Sequence, residues 1–428
     1  MIDIELLRKE PQQVEENLAR RRNPEYLRLA EEARAQDAAW REAAREADRL
    51  RAERNRLGRQ IAEARGRKAA SDELEAEAAR LPELLTAAEA RESAARSARD
   101  ATLKRLPNLL DASVPYGKDD TENVVVATWG EPGPGGPELR SHGELLEALG
   151  LAEFDRARRA SGAGFYYLKG DAVLLDLALQ RLALDLLVER GFTPVQPPLL
   201  LRRAPYEGVT DLADFENVMY KIDGEDLYLI ATSEHPLAAL YLGEILDADR
   251  LPIRMVGLST NFRKEIGGHG VDQKGVFRVH QFQKVEQFVF CRPEDSPAIH
   301  EEIRANAEEV FRRLHIPYRV VNVCTGDVGT VAAKKYDIEA WFPRQSAFRE
   351  VVSCSNCTDY QARRLGIRAG KAGKPGKTVP HTLNSTAIAT SRAIAVICEQ
   401  YQRPDGTIEV PEALRPYLGG RRAIGPAA

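Results

Sequence analysis

One stretch of this 428-residue chain concentrates charged and aromatic side chains in a pattern that could do chemistry. Two strand-like runs flank a Gly-rich segment from Ile266 to Gly275, which predicts an antiparallel hairpin with a long connection. Because alternate side chains of a strand share a face, one face would carry Arg263 and Glu265 in the first run and Arg278, His280, Phe282, Lys284 and Glu286 in the second. Polar alternation usually means a solvated sheet face. This combination fits better a site that binds an anion, stacks a flat ring and holds an ammonium group.

The same residues resemble a known sequence motif. Phe262–Glu265 (FRKE) and Arg278–Glu286 (RVHQFQKVE) resemble motif 2 of class II aminoacyl-tRNA synthetases, in the form found in seryl-tRNA synthetases. The match is long and its internal spacing is fixed, so the signal is specific. The resemblance implies an enzyme that activates an amino acid with ATP.

Further segments resemble other parts of that family, in the expected order. Gly191 to Pro198 resembles motif 1, which in the family builds a dimer interface with the preceding helix. Thr232-x-Glu234 resembles the Thr-x-Glu loop of seryl-tRNA synthetases, although Thr-Ser-Glu is also a good helix cap. Phe348–Cys357 resembles the strand before motif 3, and Leu383–Arg392 resembles motif 3 itself.

The first hundred residues predict a helical hairpin. Apolar positions recur three and four residues apart from Tyr26 to Ala64 and again from Leu74 to Leu106, which is the pattern of two coiled-coil helices. Gly66 and Ser71 break the pattern between them, so the helices are expected to pack antiparallel. Seryl-tRNA synthetases carry an N-terminal arm of this kind, which reaches the long variable arm of the tRNA.

One end of the predicted arm is strongly basic. Eight basic residues lie between positions 49 and 68, against the two acids Glu53 and Glu63: Arg49, Arg51, Arg54, Arg56, Arg59, Arg65, Arg67 and Lys68. A solvated helix face explains most charge runs, whereas contact with RNA phosphates is the functional alternative. The resemblance favours tRNA binding by these eight residues.

Composition limits the other possibilities. The net charge of −4 gives no general indication of a nucleic-acid partner, so RNA binding has to come from a local patch. Cys354-x-x-Cys357 is the only close pair among five cysteines and lacks a second pair or histidines at ligand spacing, so no zinc is expected. The acidic N-terminus does not look like a signal peptide, and no apolar run approaches membrane-spanning length. A cytoplasmic protein is expected.

The resemblance implies an α+β fold in two parts. Residues 1–110 would be a tRNA-binding domain with a long α-helical coiled-coil hairpin. Residues 111–428 would be a class II catalytic domain, an antiparallel sheet flanked by helices. The helix before motif 1 is apolar almost all round and must be buried on several sides. A buried core helix would satisfy this, but the resemblance implies a homodimer.

The resemblance also implies roles for individual residues. Catalysis would rest on Arg263, Glu265 and Arg392. Serine would be bound by Thr232, Glu234, Arg263, Glu286, Asn384 and Thr386, with the roles of Glu234 and Glu286 undivided. ATP would be bound by Arg263, Lys264, Glu265, Arg278, Val279, Phe282, Glu350, Val351, Val352, Ser353 and Arg392, with adenine between Phe282 and Arg392. Glu350 and Ser353 would hold Mg²⁺ on the ATP phosphates, because hard oxygen ligands suit that ion.

The implied function is ATP-dependent attachment of serine to tRNA(Ser), and also to tRNA(Sec), through a seryl-adenylate. One alternative is a paralogue that activates serine for another acceptor or confers antibiotic resistance. The alternative from another class is a non-catalytic RNA-binding coiled-coil protein, against which the presence of Arg263, Glu265, Glu286 and Arg392 argues.

Overall fold

The computed structural model describes residues 1–210, 217–265, 275–371 and 373–425. Within it the chain forms two compact units, Met1–Leu109 and Leu110–Ala428. Most of the predicted Gly-rich segment, residues 266–274, lies outside the described residues.

The N-terminal unit consists of four helices. They are α1 (Ile4–Lys9), α2 (Pro11–Ala19), α3 (Pro24–Gly66) and α4 (Asp72–Arg105). Pro24 opens α3 at a position where its missing N–H costs nothing, and the Asn23 side chain caps that end. Buried residues along the hairpin, among them Leu50 and Leu57 of α3 and Leu81 and Leu85 of α4, form one apolar cluster. The predicted helical hairpin is confirmed.

A buried ion-pair cluster joins three helices at the base of this hairpin. Asp37 of α3 is 1% exposed and accepts two hydrogen bonds of 2.6 Å from Arg8 of α1. Arg99 of α4 lies 3.4 Å from the same carboxylate and stacks over Trp40, 4.3 Å from the ring centre. Burial opposes ionisation of Asp37, but the hydrogen bond and charge of Arg8 keep its pKa below the ordinary value.

An eight-stranded sheet organises the second unit, in the order β1-β10-β11-β12-β14-β9-β8-β4. Its strands are β1 (Val124–Trp129), β4 (Thr193–Val195), β8 (Ile253–Phe262), β9 (Gln281–Cys291), β10 (Tyr318–Asn322), β11 (Lys334–Phe342), β12 (Ala347–Asn356) and β14 (His381–Ala389). The predicted antiparallel sheet is confirmed, except that the edge strand β4 runs parallel to β8. Eight short strands form two-stranded ribbons: β2 (Ala152–Glu153), β3 (Tyr167–Leu168), β5 (Leu200–Leu201), β6 (Tyr228–Leu229), β7 (Ile245–Asp247), β13 (Arg368–Gly370), β15 (Ile408–Glu409) and β16 (Ala423–Ile424).

Helices cover the sheet. They are α5 (His142–Ala148), α6 (Phe154–Ser161), α7 (Asp171–Glu189), α8 (Arg203–Val209), α9 (Glu234–Ala239), α10 (Ser296–Arg313), α11 (Tyr360–Arg364) and α12 (Thr390–Gln400). Apolar residues of α7, α10 and α12 form the main core with Val285 and Val289 of β9. In the described ranges, no helix is both long and apolar enough to cross a membrane.

Helix α7 also carries apolar residues that the chain itself leaves open to solvent. Val173, Leu174, Leu177 and Val188 are 39%, 41%, 55% and 45% exposed. The prediction of a helix apolar on several faces is therefore confirmed, while only part of its surface packs against this chain.

The central hairpin is formed by β8 and β9, but its second strand begins later than predicted. Strand β9 starts at Gln281, so Phe282, Lys284 and Glu286 share a face as expected. The prediction that Arg278 and His280 continue this face was wrong, because the chain before Gln281 is irregular. The His280 ring instead packs against Phe165 and forms a hydrogen bond with the hydroxyl of Tyr220.

Candidate active site

A cavity of about 260 Å³ opens on the face of β9 that carries Phe282, Lys284 and Glu286. Strands β9, β12 and β14, the chain just after β8, the residues that lead into α9 and the start of α12 surround it. The lining residues are Thr232, Glu234, Arg263, Glu265, Phe277, Val279, Phe282, Lys284, Glu286, Glu350, Val351, Ser353, Ser355, Asn384, Thr386, Ala389, Ser391 and Arg392. The cavity lining therefore contains carboxylates and cations, together with aromatic rings and several hydroxyl groups.

One end of the cavity holds a buried charged cluster on neighbouring strands. Glu286 of β9 lies directly opposite Thr386 of β14, whose hydroxyl is 3.1 Å from its carboxylate. The Lys284 ammonium is 2.6 Å from the same carboxylate oxygen. Glu286 is 1% exposed and its charge is neutralised by Lys284, so it can accept a hydrogen bond without needing a second cation.

A second carboxylate, Glu234, faces this cluster from the start of α9. Its Oε1 accepts a hydrogen bond of 2.7 Å from Gln361, and it has no ion-pair partner in the part of the chain that the structure describes. Burial and the negative charge of Glu286 raise the pKa of Glu234 to about 7, although Lys284 opposes the rise. This carboxylate is consequently suited to receive a positive charge from a ligand.

Arg263 lies between the charged end and the aromatic region. It follows the last residue of β8, and its Nε donates to the backbone carbonyl of Ala231 at 3.2 Å. Its guanidinium lies over the ring of Phe282, 5.2 Å from the ring centre. Burial and the nearby charge of Arg392 lower the pKa of Arg263, but an arginine has a wide margin and stays protonated at neutral pH.

Arg392 lies at the end of the cavity opposite the buried charged cluster. It stands in the first turn of α12, and its Nη1 donates to the Glu350 carboxylate at 3.1 Å and to the Glu350 backbone carbonyl at 3.0 Å. The guanidinium lies over Phe277, 5.3 Å from the ring centre. The two arginines therefore stand over two different aromatic rings, with space for a flat, anionic ligand beside them.

Three residues predicted to bind ATP lie outside the cavity lining. Lys264 points away, with its ammonium 5.7 Å from the ring of Tyr220. Arg278 is exposed and lies 3.7 Å from Glu265. Val352 is buried in the main core, because it alternates with Val351 and Ser353, which line the cavity, and so faces the other side of β12.

Other residues reach the cavity or its wall without having been predicted as ligands. Phe277, Ser355 and Ser391 line it, and Gln361 holds Glu234 from behind. Phe277 lies just outside the strand, where alternation carries no information. The five cysteines are all buried, and the Sγ of Cys357 accepts a hydrogen bond from the Asn384 amide.

The basic residues of the arm fall into two groups. Arg49, Arg51, Arg56 and Arg65 form ion pairs with nearby carboxylates of the arm. Arg54, Arg59, Arg67 and Lys68 are exposed and have no ion-pair partner among the described residues. The second group offers positive charge that nothing within the arm neutralises.

Comparison with known proteins places this geometry in a class. Residues 218–401 match the tRNA synthetase class II core domain (G, H, P, S and T), and residues 1–110 match the seryl-tRNA synthetase N-terminal domain. The antiparallel sheet, its cavity and the two arginines thus belong to a class II aminoacyl-tRNA synthetase core.

Relatives along the whole chain narrow the class to a family. The serine–tRNA ligase of Methanocella arvoryzae is 55% identical over 98% of this chain and 99% of its own length. The crystal structure of seryl-tRNA synthetase from Pyrococcus horikoshii complexed with ATP is 48% identical, covers 100% of both chains and has a TM-score of 0.92. The cytoplasmic serine–tRNA ligase from Naegleria fowleri in complex with AMP is 33% identical, covers 100% of this chain and 99% of its own, and has a TM-score of 0.88. This chain belongs to the seryl-tRNA synthetase family.

Gly257 generates a prediction about how the site is assembled. It lies opposite Glu286 on β8, and a Cβ there would come within 2.7 Å of the Ser233 side chain and 2.9 Å of Leu237. The loop with Thr232 and Glu234 can rest on the sheet only because this side chain is absent. We expect Gly257→Ala to lower the unfolding free energy by about 1–3 kcal/mol through overpacking.

Denaturant unfolding of the full chain measures this change. Gly133→Ala is the matched control, since a Cβ at Gly133 has no atom within 4 Å. Equal stability of the two variants would contradict the packing argument.

Proposed function

We infer that this chain ligates serine to tRNA in two steps within the cavity described above. In the first step an oxygen of the serine carboxylate attacks the α-phosphorus of ATP, the bond to the bridging oxygen breaks, and pyrophosphate leaves. In the second step a hydroxyl of the 3′-terminal ribose of tRNA attacks the seryl carbonyl and AMP leaves. The observation that carries this proposal is the position of Arg263 between a charged, hydroxyl-bearing end and an aromatic end.

Arg263 is proposed to act on the reacting atoms. A guanidinium at this position can bind the serine carboxylate and an oxygen of the α-phosphate together, since its donors form a rigid fork. Negative charge grows on the α-phosphate during attack, and a positioned cation stabilises it most when water is excluded. Positioning and electrostatics account for such reactions, and the proposal includes no general base.

The geometry supports a division of labour between the two carboxylates. Glu286 already has Lys284 as its cation and Thr386 as a hydroxyl neighbour, which suits it to the serine hydroxyl. Glu234, without an ion-pair partner in the described chain, is proposed to bind the serine ammonium. Glu286 allows rejection of alanine, because alanine would leave the hydrogen-bond position of the serine hydroxyl on this buried carboxylate unfilled.

ATP is proposed to occupy the aromatic end. Phe282 would stack on adenine, with Arg392 on the other face of the ring or on the terminal phosphate, and Glu265 near the adenine amino group. The cavity wall also contains Val279 and Val351, which are proposed to contact ATP. The same wall contains Thr232 and Asn384, which are proposed to contact serine. Lys264 lies against Tyr220 and Arg278 lies beside Glu265, so both would act on ATP only through these neighbours.

Glu350 and Ser353 fit a role in holding Mg²⁺ with the ATP phosphates. Both line the cavity, and the side chain of Glu350 is 47% exposed. Among the described residues no group of three or more His, Cys, Asp or Glu could enclose a metal alone. Mg²⁺ is commonly bound by one or two carboxylates plus phosphates, and when bound it would neutralise phosphate charge.

The tRNA is proposed to bind residues 1–110 through the basic arm, with catalysis in residues 111–428. The four unpaired cations, Arg54, Arg59, Arg67 and Lys68, offer contacts to RNA phosphates. Both tRNA(Ser) and tRNA(Sec) are proposed substrates, as the family resemblance implies. Because tRNA is charged where proteins are made, the proposal places the chain in the cytoplasm.

A homodimer is proposed to form over the exposed apolar face of α7. Single exposed apolar residues are ordinary, but four on one helix favour an interface.

Replacing Arg263 tests the assignment of the site. We expect Arg263→Ala to reduce serine-dependent ATP–pyrophosphate exchange by about 100- to 1,000-fold, the cost of removing a positioned donor at a developing anion. Arg254→Ala is the control, because Arg254 lies on β8, the strand that Arg263 follows, but it pairs with Glu302 and does not line the cavity. Exchange at the wild-type rate in Arg263→Ala would overturn the assignment.

Magnesium titrations of the wild type and of Glu350→Gln in the same assay test the metal ligands.

Charge neutralisation on the arm tests tRNA binding. A variant with Arg54, Arg59, Arg67 and Lys68 changed to Gln should raise the KM for tRNA about tenfold or more. In a plot of the logarithm of tRNA affinity against the logarithm of salt concentration, the slope of this variant should be shallower by about three, as expected for four lost phosphate contacts. Pyrophosphate exchange without tRNA should stay unchanged. Changing Arg49, Arg51, Arg56 and Arg65 instead should have the smaller effect, because those arginines must leave existing partners. The reverse ranking would count against the proposal.

Light scattering tests the dimer. Leu177→Arg should give a monomer at micromolar concentration, because a charge replaces an apolar side chain within the proposed interface. Leu84→Arg is the matched control for Leu177→Arg, since Leu84 of the arm is 53% exposed and Leu177 is 55% exposed. A Leu177→Arg protein that remains dimeric would exclude this face.

A further inference from the structure

Gln361 is a buried glutamine that no step of the proposed reaction uses, yet it touches the serine end of the site. It lies on the short helix α11 and is 0% exposed. Its Nε2 lies 2.7 Å from Glu234 Oε1 and 3.1 Å from the backbone carbonyl of Val209, while its Oε1 lies 2.7 Å from the hydroxyl of Thr382. One amide thus joins α11 to α8, α9 and β14.

Only one orientation of this amide satisfies all its neighbours. A backbone carbonyl and a carboxylate accept hydrogen bonds and cannot donate, so both need the NH₂ group. The Oε1 then remains for Thr382, whose hydroxyl can donate. Because Thr382 is itself buried and lies within β14, it keeps the Gln361 amide from turning over.

We propose that Gln361 is a positioning residue for serine recognition: its amide hydrogen bond holds the Glu234 carboxylate in place to receive the ammonium group of the amino acid. This inference rests on the proposed function and adds a residue to it. Gln361 acts through Glu234 and does not touch the substrate, since it is absent from the cavity lining.

The surroundings of Glu234 explain why such a residue is needed. Glu286 repels the ionised form from β9, whereas Lys284 on the same strand and Arg263 after β8 favour it. His235, its neighbour on α9, is kept neutral by burial. Cys357, after β12, faces Glu234 as well. The Gln361 hydrogen bond adds to the cations in opposing the raised pKa of Glu234.

The test is the serine KM of Gln361→Met in pyrophosphate exchange, measured from pH 6 to pH 9. Methionine nearly keeps the volume and removes every hydrogen bond. We expect the serine KM at pH 7 to rise about tenfold or more, the usual effect of losing a hydrogen bond to a charged group. The kcat and the ATP KM should stay within about twofold. The acid limb of the serine KM should move to higher pH, because Glu234 would then ionise less readily.

Gln287→Met controls for the cost of burying methionine. Gln287 is also 0% exposed and donates to the Ile303 carbonyl and accepts from Asn306, but it does not line the cavity. Both variants should lose thermal stability, and only Gln361→Met should shift the serine KM. Thr382→Val should shift it in the same direction by less. In a Glu234→Gln background the effect of Gln361→Met should disappear.

The outcomes separate the inference from the function beneath it. If the wild type shows no serine-dependent exchange, the proposed function fails. If the wild type is active but Gln361→Met has the serine KM and pH profile of Gln287→Met, only the role of Gln361 is overturned.

Discussion

The catalytic unit depends on keeping opposite charges together in a place that largely excludes water. Glu286 and Lys284 are 1% and 6% exposed, and an isolated buried ion costs several kcal/mol. Each carboxylate must therefore find a cation or a donor within the protein. Lys284 and Thr386 serve Glu286, and Gln361 serves Glu234. Because Thr386 and Gln361 lie 100 and 127 residues from the carboxylates they serve, satisfying the charges also fixes how those segments are placed.

The register of the sheet fixes the relative positions of the side chains in this cluster. Gly257, Glu286 and Thr386 form one row across β8, β9 and β14. The glycine leaves room for the loop of Glu234, the glutamate brings the charge, and the threonine brings the hydroxyl. A slip of one residue in any of these strands would turn its side chain to the opposite face. Placing the site on central strands, with neighbours on both sides, makes such a slip costly.

Sequence reasoning predicted the parts of the site that follow from local periodicity. Phe282, Lys284 and Glu286 share a face because they lie inside a strand, where alternation holds. It failed for Arg278 and His280, where contacts with Phe165, Tyr220 and Glu265 override the pattern before the strand begins. The resemblance to a known motif located Glu234 but could not divide its role from that of Glu286. That division became arguable only from the structure, in which Lys284 pairs with Glu286 while Glu234 has no ion-pair partner among the described residues.

Gln361 illustrates a second limit of sequence reasoning. Its three partners, Val209, Glu234 and Thr382, lie between 21 and 152 residues away along the chain. The arm presents the contrasting case, because its helices follow from a three-and-four repeat and its charges can be read directly. Lys284 in the cavity is paired with Glu286 because water is scarce there, whereas Arg54 and Arg59 can stay unpaired because water screens them. Charges that are unpaired in water are free to exchange their counterions for RNA phosphates, and for this reason partner count, more than charge count, should rank the arm residues in tRNA binding.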